Sequence, residues 1–140
     1  MYDACKDRFR CWLVLRGRRL IHEDISSALG VRPDNVTIAG TVTTSEKGMS
    51  SPPLKDSTWC LDSAKHVSSN DPIAHLRWLV NTIEPKAVRT LANLDAVWIT
   101  VFVETPREYV GFELPSEVVE FAAQLGAEFQ QYVTVNRDPD

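Results

Sequence analysis

His22, His66 and His75 are the three histidines of this 140-residue chain, and Cys5, Cys11 and Cys60 are its three thiols. These residue types do metal, nucleophilic or acid–base chemistry, so their spacing comes first. No CxxC, HExxH or mixed Cys/His ligand pair occurs, so no zinc site is indicated, and an odd cysteine count does not read as a disulfide framework. Cys11 and Cys60 lie in apolar strand-like runs, where a thiol serves as a small core residue. For acid–base work, the best arrangement on offer is His66 as base with Asp62 or Asp71 as its orienting carboxylate. Gly17, Gly30, Gly40, Gly48, Gly111 and Gly126 fall singly, so no glycine-rich phosphate loop is present, and the GxSxG elbow of a serine nucleophile is missing. We therefore expect no catalytic residue, no cofactor and no metal: a chain that is not an enzyme.

Charge and aromatic residues point instead toward contact with another macromolecule. The net charge is −4, which argues against nucleic acid as a partner. It is unevenly spread. Residues 1–20 carry six basic side chains against two acidic, a net of +4, and residues 101–140 carry two basic against eight acidic, a net of −6. Such asymmetry steers a partner of opposite sign. The acidic set is Glu104, Glu108, Glu113, Glu117, Glu120 and Glu128, with Asp138 and Asp140 in the tail.

The elements that must position these groups follow from periodicity. Phe9, Cys11, Leu13 and Leu15 alternate with Arg8, Arg10, Trp12, Val14 and Arg16, which predicts a strand with one fully buried face. A short helix is expected over 22–29, an edge strand over Val36–Thr44, and a strand over Ser57–Leu61. Asp71 then caps a helix opened by Pro72 and running to about Glu84. Asp95–Glu104 is the clearest strand, with Val97, Ile99, Val101 and Val103 on one face and Trp98, Thr100 and Phe102 on the other. A strand through Tyr109–Leu114 is expected to form a hairpin with it. Ser116 should cap a third helix that Gly126 ends, and residues 128–135 form a last strand suited to a sheet edge. Residues 1–7 read as a loose leader, 136–140 as a loose tail, and the breaker-rich stretch 45–56 as a mobile loop within a single domain spanning 1–140.

Three helices cannot cover both faces of so large a sheet. The expectation is an α+β two-layer sandwich, a mostly antiparallel sheet of about five or six strands with three helices on one face. The uncovered face would present Trp12, Trp98 and Phe102, with Val14 and Tyr132 beside them. Aromatic residues in such a place are candidate partner anchors. A loop or a second copy of the chain (a homodimer) covering that face is the other arrangement the pattern allows. No run approaches a membrane helix in length, no secretory signal is evident, and unpaired thiols suit the cytoplasm.

Several short stretches carry a resemblance: Phe9 through Leu29-Gly30, Trp59, Ile83-Glu84-Pro85, and Gly111-Phe112-Glu113-Leu114-Pro115. Together they resemble the bacterial family catalogued as domain of unknown function 4279, over about residues 8–135. Ile21-His22 stand where that family tends to have Asp-Pro, which weakens the first N-cap. The resemblance implies a small intracellular bacterial protein, of the immunity type found near secreted toxins. The functional expectation is a non-catalytic protein-binding domain that masks a basic toxin, with Trp12, Trp98, Phe102, Glu104, Glu108, Glu113, Glu117, Glu120 and Glu128 in contact. A single-stranded nucleic-acid binder, with Trp12 and Phe102 as stacking platforms flanked by Arg8, Arg10 and Arg16, is the alternative, together with a binder of some small ligand.

Overall fold

In a computed structural model, residues 7–106 and 111–135 are described. The chain runs β1 (Arg8–Gly17), α1 (His22–Leu29), β2 (Asn35–Thr37), β3 (Ser57–Asp62), a 3-10 turn (Ser63–Lys65), α2 (Pro72–Thr82), α3 (Pro85–Arg89), β4 (Ala96–Thr105), α4 (Ser116–Leu125) and β5 (Glu128–Val135). The strands form one five-stranded sheet in the order β2-β3-β1-β4-β5. β1 is antiparallel to both β3 and β4, β2 is antiparallel to β3, and β5 lies parallel to β4. A parallel pair requires a crossover, and α4 supplies it. The molecule is thus α+β, a mostly antiparallel open sheet backed by helices.

The inward-facing residues of β1, β3 and β4 (Cys11, Leu13, Leu15; Trp59, Leu61; Val97, Ile99, Val101, Val103) form one buried cluster with Ile25, Leu76, Leu79, Ile83, Val88, Val118, Phe121, Ala122 and Leu125 of the helices. The period-two pattern of the strands meets the three- and four-residue spacing of the helices there. Asp71 caps α2 by accepting a hydrogen bond from the Ile73 N–H at 3.0 Å, with Pro72 in the first turn. α1 begins after Ile21 with no side-chain cap. Gly17 ends β1 because a Cβ there would lie 2.1 Å from the Asn93 carbonyl oxygen; only glycine lets the two backbones approach so closely.

Three expectations are corrected. α4 is preceded by Pro115, and Ser116 is its first helical residue with no side-chain cap. The strand expected over Val36–Thr44 shrinks to Asn35–Thr37, after which the chain turns through Gly40 at φ +88°. Residues 41–54 fold back on themselves through Gly40 N–H to the Leu54 carbonyl, Leu54 N–H to the Thr41 carbonyl, and Ser45 N–H to the Met49 carbonyl. Among the described residues, the hairpin expected between β4 and a strand at 109–114 does not form. Residues 111–115 have no regular structure, and Tyr109 and Val110 lie outside the described residues. Both edges of β4 are already taken, by β1 and β5, so no ladder is left for a hairpin partner. Among the described residues, no helix is long and apolar enough to cross a membrane.

Candidate functional site

The face of the sheet away from the helices holds the aromatic residues expected there. In the ladder, Arg10 lies opposite Phe102, Trp12 opposite Thr100 and Val14 opposite Trp98, while Phe102 pairs with Tyr132 and Trp98 with Glu128. Opposed residues in a ladder share a face. Trp12, Trp98, Phe102, Glu104 and Glu128 therefore sit together, and Tyr132 joins them.

The rings make a continuous row. Trp12 and Phe102 have centroids 4.5 Å apart with planes tilted by 58°, and Phe102 stacks on Tyr132 at 5.6 Å and 17°. Each such pair contributes roughly 0.5–1.5 kcal/mol beyond the area it buries. Farther along the strands, the Arg16 guanidinium lies 4.5 Å over the Trp98 ring, whose indole N–H donates to Glu128 Oε2 at 3.1 Å. Asp56 stands 3.8 Å from Arg16, an ion pair too long for a hydrogen bond. Arg10 makes a bidentate pair with Asp62, one arm being Nε to Oδ1 at 3.1 Å, and its guanidinium lies 5.9 Å from the Trp12 ring centroid. Asp62 is buried and also accepts from the Ala64 N–H at 3.0 Å. The arginine stems and the aromatic rings thus shield one another on the face the helix layer leaves open. The buried Trp12 indole N–H has no partner among the described residues. It borders an open cleft of about 690 Å³ formed with Arg8, Phe102, Glu104 and the loop Val67–Asn70.

The acidic residues do not converge. Glu104 and Glu128 lie on the aromatic face. Glu117 and Glu120 are exposed on α4, in the helix layer, where Glu117 accepts from Arg77 Nε at 2.7 Å. Glu113 is exposed in the segment leading into α4. Glu108 lies outside the described residues.

The titratable groups take roles the sequence pattern does not reveal. His66 faces Asp34, with Nε2 3.0 Å from each carboxylate oxygen, and its ring stacks on Trp78 at 4.7 Å. Neither Asp62 nor Asp71 partners it: the first is engaged by Arg10, the second caps α2. His66, Asp34 and Trp78 border a notch of about 320 Å³ whose one hydroxyl, that of Thr82, donates to the Trp78 carbonyl. His75 is buried, with Nδ1 2.6 Å from Ser63 Oγ and Nε2 2.6 Å from the Ser69 carbonyl. Since a carbonyl only accepts, Nε2 carries the proton, and the Ser63 hydroxyl donates to Nδ1 while accepting from the Cys11 N–H at 2.8 Å. Ser63 is fully buried. This is a satisfied internal chain that pins the turn after β3 to β1 and α2.

Burial pushes the Cys11 thiol up to about 11. Burial, then the charges of Asp62 and Asp34, pushes Cys60 up to about 12. Both stay protonated near neutrality, which denies them thiolate chemistry. Among the described residues, no three His, Cys, Asp or Glu side chains gather as a metal ion would need.

Sequence reasoning found Trp12, Trp98 and Phe102 through the second face of two period-two strands. It missed Asp34, which β2–β3 pairing alone brings to His66.

No curated protein and no solved structure matches the chain. A family model described as "Domain of unknown function (DUF4279)" matches residues 7–135, nearly its whole length. The chain belongs to that family.

Proposed function

We propose that this chain is a non-catalytic protein-binding domain whose helix-free sheet face is the contact surface, and that its partner is a basic protein, of the toxin type, neutralised by masking. The observation that carries the reading is the aromatic row Trp12–Phe102–Tyr132 beside Arg16–Trp98–Glu128, on a face that no helix among the described residues covers. Aromatic and arginine side chains already held by packing lose little entropy on binding, which is why they dominate interface energetics. Glu104 and Glu128 flank the row, and the net charge of −4 favours a basic partner through long-range steering. The reading also places the protein in the cytoplasm of a bacterium.

Capture from the native cell tests it. A tagged chain should retain a basic protein, and Phe102→Arg, which breaks both ring contacts, should lose it. Glu117→Gln, on the other layer, should keep it. Retention by both variants alike refutes the assignment of the face. A binder of single strands is the second reading, favoured by the arginines that the fold brings beside the same rings. Against it, Trp12, Phe102 and Tyr132 stack on one another and Arg16 covers Trp98, so ring faces a base would need are occupied. Retention of single-stranded RNA on a filter at low salt, lost with Phe102→Arg, would favour this second reading over the first.

A further inference from the structure

The two edges of the sheet are unlike. The β2 edge is three residues long and leads directly into the folded-back segment 38–56. The β5 edge is eight residues long, and among the described residues β5 pairs with β4 alone. Long edges are ordinarily blunted by proline, lysine or a bulge. The β5 sequence, Glu-Phe-Gln-Gln-Tyr-Val-Thr-Val, has no proline and no basic residue, and its one charge is Glu128 at its start. It also exposes apolar side chains on both faces: Phe129 38%, Val133 48% and Val135 43% on the helix side, Tyr132 55% on the other. α4 packs toward α2 and α3, so the helix layer stops short of this strand. Phe129 shares a notch of about 200 Å³ with the exposed Leu114, which extends the apolar patch.

We propose that the β5 edge pairs antiparallel with β5 of a second copy, about a two-fold axis at Gln131, joining the two sheets into one. The strand is self-complementary in that register. Opposed residues share a face only if their numbers sum to an even value, which a two-fold at a single residue satisfies. On the helix side Phe129 then meets Val133 twice. On the aromatic side Gln130 meets Tyr132, and Glu128 meets the Thr134 hydroxyl. The two Glu128 carboxylates end about 20 Å apart along the strands, whereas a parallel pairing would set them side by side. Between two copies, the charge layout therefore selects the antiparallel orientation. The dimer is independent of the partner reading above.

The test uses the full chain with Cys5→Ser. Its mass by light scattering should rise with concentration from monomer to dimer in the micromolar range, as expected of a small interface. Gln131→Cys should form an interchain disulfide under mild oxidation, because the residue faces its own copy across the axis; Ser27→Cys, exposed on α1, should not. Val133→Lys should weaken association at least tenfold without lowering the Tm of the monomer, and Tyr132→Lys should weaken it as much with a small loss of stability, because it also removes the ring stacked on Phe102. A constant monomer mass overturns the proposal, and an edge covered by the chain's own residues 1–6, 107–110 or 136–140 would give that result. A dimer indifferent to both lysine variants, or trapped equally at position 27, overturns it as well.

Discussion

β1 and β4 present two different chemistries on their two sides. Inward, Leu13, Leu15, Ile99 and Val103 are aliphatic and sealed under the helices. Outward, the same strands carry Arg10, Trp12, Arg16, Trp98 and Phe102, half-buried and held by each other. The inward side is stabilised mainly by apolar burial. The outward side reaches partial burial without a covering layer, through ring stacking, cation–π contact and the Arg10–Asp62 pair. A sheet open on one side thus keeps large apolar groups near solvent only where each is locked by a neighbour, and such pre-ordered groups suit binding.

The comparison can be broken most severely from inside. Leu13→Ala should lower stability by about 2–5 kcal/mol, read as a shift in the denaturant midpoint, whereas Val14→Ala on the other side of the same strand should cost well under half as much. Equal costs would show that the two faces do not differ in packing. His75→Ala comes next. It leaves the Ser63 hydroxyl and the Ser69 carbonyl without their partner, and should cost about 1–3 kcal/mol. Phe102→Ala should destabilise by roughly 1–2 kcal/mol through its two ring contacts, yet reduce partner retention far more than the Leu13 variant does at equal folded fraction.

The thiols sharpen the contrast by pH. Their folded values of about 11 and about 12 lie above the ordinary 9.0. Their contribution to stability is thus complete below pH 9 and declines as pH rises from 9 through the folded values, because the unfolded chain loses those protons first. Cys60→Ser should flatten part of that decline, and alkylation of Cys11 and Cys60 near pH 8 should require denaturation. The smallest effect belongs to the exposed Arg77–Glu117 pair: Glu117→Gln should change stability by about 0.5 kcal/mol or less.

Much of the layout was legible in order along the chain. Alternation in Phe9–Arg16 and Asp95–Glu104 assigned each side chain to a face, and Asp71-Pro72 marked the start of α2. The family resemblance over about residues 8–135 agrees with the match over 7–135. The strand expected over 109–114 is absent at 111–114 for a physical reason. Gly111-Phe112-Glu113-Leu114 has strand-like composition, but a strand exists only where a ladder is free, and β4 has none to offer. The acidic third looked like one block in sequence, yet the α4 crossover sends Glu117 and Glu120 to the opposite layer from Glu104 and Glu128.

Sequence alone determined which residues of β1 and β4 face inward and which outward, since that depends on a two-residue period within a single strand. Tertiary structure decided everything that depends on which strands become neighbours. The parallel placement of β5 beside β4 brought Tyr132 onto Phe102 and Glu128 onto Trp98, and the β2–β3 pairing delivered Asp34 to His66. Those contacts join residues about 30 apart in the chain. No local pattern encodes them, because the choice among competing strand neighbours is made by burying the whole helix-backed core at once.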